Sequence, residues 1–221
     1  MAELTDLKQP IAIRTEYTAP YLTTLHIKQH GKSKHDVLGE SLTVWRWPDG
    51  GSQSQDERKL FSVGSESVPF RQRRHVRDAS GLPLFELSQK KAGVTWFVHL
   101  PGGKETSESI AAIAPRWNPL RNKLDVYVRN AARDGTEVKL KVRGQDVSKA
   151  QTNVYFDGAL VMIATRFDDH RSLTELEWKV EVARGMDISL ASVIVVAMAY
   201  MLHRTGASLY RGAGDSPAAG K

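Results

Sequence analysis

The sequence contains no cysteine among its 221 residues. Disulfide bonds, thiolate-bound metals and cysteine nucleophiles are therefore excluded. Three motifs of common enzyme classes are also missing: the Gly-x-Ser-x-Gly of hydrolases, a phosphate-binding glycine loop that ends in Lys-Ser or Lys-Thr, and the His-Glu-x-x-His of zinc proteases. His26 and His30 lie four residues apart in a strand-like segment, a separation of about 13 Å that is too wide for one metal ion. The sequence predicts a protein that is not an enzyme and that uses no metal or cofactor.

The start of the chain lacks the apolar core of a signal peptide, because residues 1–9 are polar and include Glu3 and Asp6. We therefore expect a cytoplasmic protein, with association to a membrane surface or to the nucleus as alternatives. Charge of one sign is only mildly in excess: 31 Lys and Arg face 25 Asp and Glu, which leaves a net charge of +6. This surplus permits an anionic partner such as phospholipid or nucleic acid without requiring one.

Most of the chain alternates strictly between apolar and polar residues. Residues 124–129 place Leu and Val on one face and Asp, Tyr and Arg on the other, and residues 138–143 and 176–182 repeat the pattern. A period of two is typical of strands with one buried and one solvated face. Asp-Gly pairs, which favour tight hairpin turns, separate several of these segments. About a dozen strands in series, with few helices between them, predict an antiparallel barrel or sandwich.

One segment breaks this pattern. Residues 188–202 carry no charge, with Asp187 in front as a candidate N-cap and Gly206 behind as a candidate stop, so we predict a helix over residues 187–203. Every face of this helix would be apolar, and it must therefore be enclosed. Fifteen residues span about 22 Å, less than the roughly 30 Å hydrocarbon core of a bilayer. We favour a helix inside a barrel formed by the strands over a membrane span.

Three segments carry a family resemblance: residues 77–85 (Arg-Asp-Ala-Ser-Gly-Leu-Pro-Leu-Phe), residues 122–144, and residues 182–187 (Val-Ala-Arg-Gly-Met-Asp) leading into the apolar helix. In this order they resemble the LURP-one-related family, part of the Tubby C-terminal-like group that also includes the phospholipid scramblases. The resemblance extends over about residues 11–202. It implies a twelve-stranded antiparallel barrel that encloses the C-terminal α-helix, and it implies no specific activity, since plant members are connected with defence without an agreed biochemical function.

The wider group suggests lipid as a partner. Tubby proteins bind phosphoinositides and scramblases are associated with membranes, but the lipid-contacting residues of tubby proteins cannot be matched to positions here, and the cysteine cluster of scramblases is absent. We divide the chain into an N-terminal extension (residues 1–9), a single barrel domain (10–204) and a flexible, Gly- and Ala-rich tail (205–221).

Two basic clusters are the candidate binding residues. The first choice is an outward stripe on one strand, and the second is an arginine-rich segment on another. The six residues are Lys139, Lys141 and Arg143 in the first cluster and Arg71, Arg73 and Arg74 in the second. Neighbouring cations on one face of a strand lie about 6.5–7 Å apart, a spacing that suits phosphates. The alternative is a solvated barrel exterior, where Lys and Arg provide solubility and protect sheet edges.

The first functional hypothesis is a membrane-peripheral module that binds anionic phospholipid headgroups such as phosphoinositides. The alternative is a protein-interaction scaffold in a stress or defence pathway, and a membrane-inserted, scramblase-like protein ranks third. No aromatic residues are interleaved with the cations, so we do not expect nucleic acid as a partner.

Overall fold

The computed structural model describes residues 3–30, 40–47, 58–68, 71–89, 94–102, 108–116, 123–145, 150–167 and 176–211. Twelve strands account for most of them. The strands, in chain order, are β1 Thr23–Gln29, β2 Glu40–Arg46, β3 Arg58–Val68, β4 Arg71–Asp78, β5 Pro83–Gln89, β6 Trp96–His99, β7 Ala111–Pro115, β8 Lys123–Asn130, β9 Thr136–Gly144, β10 Gln151–Phe156, β11 Ala159–Phe167 and β12 Glu177–Val182.

The strands form one closed antiparallel barrel. Each strand pairs with its neighbours in sequence, and β1 closes the ring by pairing with both β2 and β12. Ile27, for example, faces Val44 on one side and Trp178 on the other. This result confirms the predicted twelve-stranded barrel and decides between the barrel and the sandwich.

Hairpin turns join several strands as the Asp-Gly pairs predict. Asp134 and Gly135 between β8 and β9 have φ of 49° and 73°, and Asp157 and Gly158 between β10 and β11 have φ of 47° and 85°. At 157–158 these are the two residues between the paired Phe156 and Ala159, the arrangement of a type I′ turn, whose twist matches the twist of the flanking strands. The loop between β8 and β9 is longer, because residues 131–135 separate the paired Asn130 and Thr136.

The apolar faces of the strands point into the barrel, as the alternation predicts. Val126 on β8, Leu140 on β9 and Val180 on β12 are fully buried, and on each strand the residues next to them point outward. Most of the outward side chains are polar or charged, so the outer wall of the barrel is where any strand-borne binding surface lies.

The described residues include one α-helix, α1 (Ile188–Arg211), whose first half lies inside the barrel. Residues 188–199 are buried on every face of the helix, with exposed fractions of 8% or less. A helix that is apolar all round has no solvent face to offer, and the closed ring of strands provides the enclosure. The structure confirms the predicted helix inside the barrel. Among the described residues, no helix combines the length and the apolar character that crossing a membrane requires.

The start of α1 agrees with the prediction and its end does not. Asp187 Oδ1 accepts the backbone N–H of Ser189 at 2.7 Å and that of Leu190 at 3.3 Å, so Asp187 is the N-cap. The helix was predicted to end at residue 203, yet it continues through Gly206 to Arg211. Glycine weakens a helix by about 1 kcal/mol but keeps its N–H group, so it does not force an end. Residues 212–221 of the predicted tail lie outside the described residues.

The N-terminal segment, residues 3–22, lies across the end of the barrel at which α1 begins, and we call it the strap. Its short 3₁₀-helix is Thr15–Tyr17, and a second one, Ala131–Arg133, lies between β8 and β9. Ile11 is buried, and its N–H donates to Gly185 O at 2.9 Å. Asp187 Oδ2 accepts the N–H groups of Ile13 and Arg14 at 3.0 and 2.9 Å. The strap therefore joins the barrel to the first turn of the central helix.

Candidate functional site

The outer face of the β8–β9 hairpin carries the first predicted cluster. Leu140 and Val142 point into the barrel, so Lys139, Lys141 and Arg143 all point outward. The cross-strand register places Asp125 opposite Lys141. The structure therefore brings the three predicted residues together on one surface and adds a carboxylate to them.

Asp125 gathers three cations around one carboxylate. Its Oδ2 atom lies 2.8 Å from Arg116 Nε and 2.9 Å from Lys139 Nζ, and its Oδ1 atom lies 3.1 Å from an Arg143 terminal nitrogen. The Asp125 side chain is only 5% exposed, whereas those of Arg116 and Lys139 are 54% and 41% exposed. The carboxylate thus lies beneath a layer of cationic groups that face solvent.

The cations keep Asp125 ionised. Burial by itself raises the pKa of this carboxyl group, but the hydrogen bonds from Lys139, Arg116 and Arg143 outweigh it and hold the pKa at about 2. In return, the hydrogen bond to Asp125 raises the pKa of Lys139. At neutral pH Asp125 and Lys139 therefore both carry full charge.

The positions of the cations are fixed by further contacts. A terminal nitrogen of Arg143 also donates to Leu124 O at 2.8 Å and to Val142 O at 2.7 Å. Arg116 donates to the Tyr127 hydroxyl at 3.0 Å, and Lys139 Nζ lies 5.3 Å from the centre of the Tyr127 ring. These contacts limit the freedom of the two guanidinium groups before any ligand is present.

Two more lysines enlarge this surface. Lys141 is exposed, and Lys123 lies opposite Arg143 in the register. No ion pair or hydrogen bond links either lysine side chain to another residue in the part of the chain that the structure describes. We call these six residues the β8–β9 basic surface: Arg116, Lys123, Asp125, Lys139, Lys141 and Arg143. Five cations surround one carboxylate, so positive charge remains in excess.

The outer face of β1 and β12 is closer to charge balance. On β1 and β12, Lys28 Nζ lies 2.7 Å from Glu177, and Lys179 Nζ lies 3.1 Å from Glu181. The hydrogen bond from Lys28 lowers the pKa of Glu177, so this carboxylate stays charged. Paired charges of this kind offer little net attraction to an anion.

The side chains of the second predicted cluster do not share one face of β4. Arg73 points outward, 3.9 Å from a Glu86 oxygen. Arg74 points into the barrel, where its guanidinium carbon lies 4.4 Å from the centre of the Tyr200 ring of α1. The side chain of Arg71 lies outside the described residues. Adjacent strand residues point to opposite faces, so Arg73 and Arg74 cannot contact one anion together.

The two clusters also lie far apart around the barrel. The four strands β5–β8 separate β4 from β9 in one direction and six strands separate them in the other. Neighbouring strands are about 4.8 Å apart, so the two surfaces lie nearly on opposite sides of the barrel. They form separate surfaces, and among the side chains that the structure describes in the two clusters, those on β9 are the ones that converge.

Asp125 and Arg116 were not among the predicted residues. The strict alternation of β8 indicates that Asp125 points outward. Its pairing with Lys141 depends on the five-residue loop 131–135, because a two-residue turn at 134–135 would pair Asp125 with Gly144. Arg116 had no such signal, because it follows β7 and reaches Asp125 only through the pairing of β7 with β8.

Two comparisons with known proteins agree with this architecture. A sequence profile of the LURP-one-related family matches residues 23–199, from the first residue of β1 into α1, so the strap lies outside the matched segment. The fold is similar to the X-ray structure of a protein from Arabidopsis thaliana, with a TM-score of 0.58 and 17% identity over 89% of this chain and 99% of that protein. At this identity the likeness concerns the fold alone. No curated protein is significantly similar to this chain.

Proposed function

This chain belongs to the LURP-one-related family, and we propose that it is a non-enzymatic, membrane-peripheral protein that binds anionic phospholipid headgroups at a cytoplasmic membrane surface. The β8–β9 basic surface is the proposed binding site. The observation that carries this proposal is the convergence of Arg116, Lys139 and Arg143 on one shielded carboxylate, with Lys141 exposed beside them.

The chemistry of the surface suits a headgroup. Arginine presents a planar set of N–H donors to phosphate, and lysine adds a point charge. A cation close to an anionic membrane contributes about 1 kcal/mol of attraction, so several together give measurable binding. The apolar residues Leu140 and Val142 hold the strand from inside, so the outward cations are available without opening the core.

Vesicle sedimentation with a single charge reversal tests the proposal. Lys141→Glu is the preferred variant, because Lys141 is exposed and forms no described ion pair, whereas replacing Lys139 or Arg143 would also disturb Asp125. The reversal removes one positive charge and adds one negative charge. We therefore expect affinity for phosphoinositide-containing vesicles to fall by about thirty-fold.

A matched control is available across the barrel. Arg77→Glu makes the same change of charge on β4, where Arg77 is exposed and donates to Gly81 O. This variant should alter vesicle binding by no more than about two-fold, because its charge lies on the far side of the barrel from the membrane and is screened beyond about 10 Å. Binding of the wild-type chain should also be lost at about 1 M salt, where the screening length is about 3 Å.

Two results would contradict the proposal. If the wild-type chain does not sediment with anionic vesicles at low salt, lipid binding is wrong and a protein-interaction scaffold becomes the better account. If Lys141→Glu and Arg77→Glu weaken binding equally, the attraction depends on net charge alone and the β8–β9 basic surface is not the site.

A further inference from the structure

We infer that Asp125 makes the β8–β9 basic surface selective for headgroups that carry a phosphomonoester, over anionic headgroups that offer only a phosphodiester or a carboxylate. This inference rests on the function proposed above and names the class of ligand that the same surface takes. Asp125 acts here as a positioning residue, because it shapes the cationic groups and does not itself attract the ligand.

Asp125 already supplies the three cations with one negative charge. Both of its oxygens lie within 3.1 Å of a cationic nitrogen, and the side chain is 5% exposed. Arg116 Nε and Lys139 Nζ share one carboxylate oxygen, so these two nitrogens lie within about 6 Å of each other. The carboxylate therefore holds like charges together that would otherwise repel and separate.

A ligand with a single negative charge gains little at such a centre. The cations have a hydrogen-bonded carboxylate partner that is already in place, so a phosphodiester or a serine carboxylate has to compete with it from solvent. A phosphomonoester carries a charge between about −1.5 and −2 and three acceptor oxygens at neutral pH. The surplus positive charge of the surface can therefore attract a phosphomonoester while the three cations keep their ion pairs with Asp125.

The cations retain donors for such a ligand. A guanidinium group has five N–H donors and an ammonium group has three. Arg116 uses donors on Nε and one terminal nitrogen, for Asp125 and the Tyr127 hydroxyl. Arg143 uses donors on its two terminal nitrogens for Asp125 and for the carbonyl groups of Leu124 and Val142. Within the described part of the chain, no hydrogen bond uses its Nε–H. Several N–H groups fixed around one point match the three oxygens of a phosphomonoester.

The test compares two vesicle compositions at equal surface charge. One contains phosphatidylinositol 4-phosphate, which bears a phosphomonoester, and the other contains phosphatidylserine, which does not. We expect the wild-type chain to bind the first at least about ten-fold more tightly, because charge-assisted hydrogen bonds add to the general attraction.

Asp125→Asn should remove this selectivity. The variant keeps the shape of the side chain and adds one unit of positive charge, so binding to phosphatidylserine should rise by about five-fold or more. Binding to phosphatidylinositol 4-phosphate should rise less, because the cations are no longer held together. The ratio of the two affinities should then fall below about three.

Glu137→Gln is the matched control for charge. Glu137 is exposed on the same outer face of β9, two residues from Lys139, and it faces Arg129 across the hairpin. The substitution adds the same unit of charge without contact to Asp125. Both vesicles should bind about five-fold more tightly, and their ratio should stay at the wild-type value.

The outcomes separate this inference from the proposed function. If the wild-type chain binds neither vesicle, the proposed function is wrong. If it binds both equally, or if Asp125→Asn and Glu137→Gln leave the same ratio, lipid binding stands and the role of Asp125 is refuted.

A second measurement needs no variant and covers the case in which Asp125→Asn does not fold. Soluble inositol bisphosphate should displace the wild-type chain from phosphatidylinositol 4-phosphate vesicles, and glycerophosphoserine at equal concentration should not. Displacement by both, or by neither, would contradict selection of a phosphomonoester. Displacement by the soluble headgroup also shows that the phosphate group, and not the membrane surface, is what the site selects.

Discussion

The substitution Leu190→Ala measures how much the central helix contributes to the stability of the barrel. Leu190 lies in the first turn of α1 and is fully buried, as are the neighbouring residues 191 and 193–197. Deleting a buried leucine side chain removes its transfer free energy and leaves a cavity, at a combined cost of about 2.7–5.0 kcal/mol. Because the helix is enclosed on every side, the cavity cannot collapse easily, and we expect a loss of roughly 3–5 kcal/mol.

Thermal unfolding followed by circular dichroism is a direct assay. For a domain of this size, each kcal/mol lowers the melting temperature by about 2–4 °C, so Leu190→Ala should lower it by roughly 6–20 °C. Leu82→Ala is the matched control, because Leu82 is 63% exposed in the turn between β4 and β5. An exposed substitution changes stability by about 0.5 kcal/mol or less, which corresponds to a shift of about 2 °C at most.

The comparison of the two leucines can refute the central-helix account. If Leu190→Ala and Leu82→Ala melt within about 2 °C of each other, α1 is not a tightly packed part of the core. A detergent-dependent melting temperature for the wild-type chain would instead favour a membrane environment for the helix.

Two further predictions concern backbone conformation and pH. In urea unfolding, Gly185→Ala should destabilise the chain by at least about 1 kcal/mol more than Gly135→Ala. Both glycines have positive φ, but a Cβ atom at 185 would lie 2.9 Å from Leu7 Cβ, whereas a Cβ atom at 135 would have no atom within 4 Å. Equal losses would show that the strap does not pack tightly on Gly185. The pKa of Asp125 is about 2 in the folded chain against an ordinary 3.8, so the ion pairs of this carboxylate stabilise the fold above pH 4. This stabilisation is lost as pH falls toward 2, and the unfolding free energy of the wild-type chain should therefore fall by about 2 kcal/mol more than that of Asp125→Asn over this interval. Parallel curves of unfolding free energy against pH for the two proteins would show that the ion pairs do not stabilise the fold.

Local patterns in the sequence were sufficient for the class of fold. Alternation along β8 and β9 identifies the buried face of each strand without reference to any partner, because side chains on a strand point alternately to its two faces. The Asp-Gly pair at 134–135 marks the hairpin between these two strands through the tolerance of both residues for positive φ. The uncharged run before residue 203 identifies a helix that must be enclosed. These signals each depend on a few neighbouring residues.

Other features depend on contacts between distant segments, and periodicity carries no information on them. The strap shows no regular pattern, yet Ile13 and Arg14 donate to Asp187, more than 170 residues away in the chain. The end of α1 was predicted too early because a glycine weakens a helix without ending it.

The candidate site shows the same division. The sequence by itself determined that Lys139, Lys141 and Arg143 share an outward face, because this follows from the period of a single strand. Only the tertiary structure decided that Arg116 and Asp125 join them and that Arg73 and Arg74 of β4 point to opposite faces on a distant side of the barrel. The physical reason is that an ion pair requires two side chains within about 4 Å, and in a closed barrel the register and order of the strands bring those atoms together.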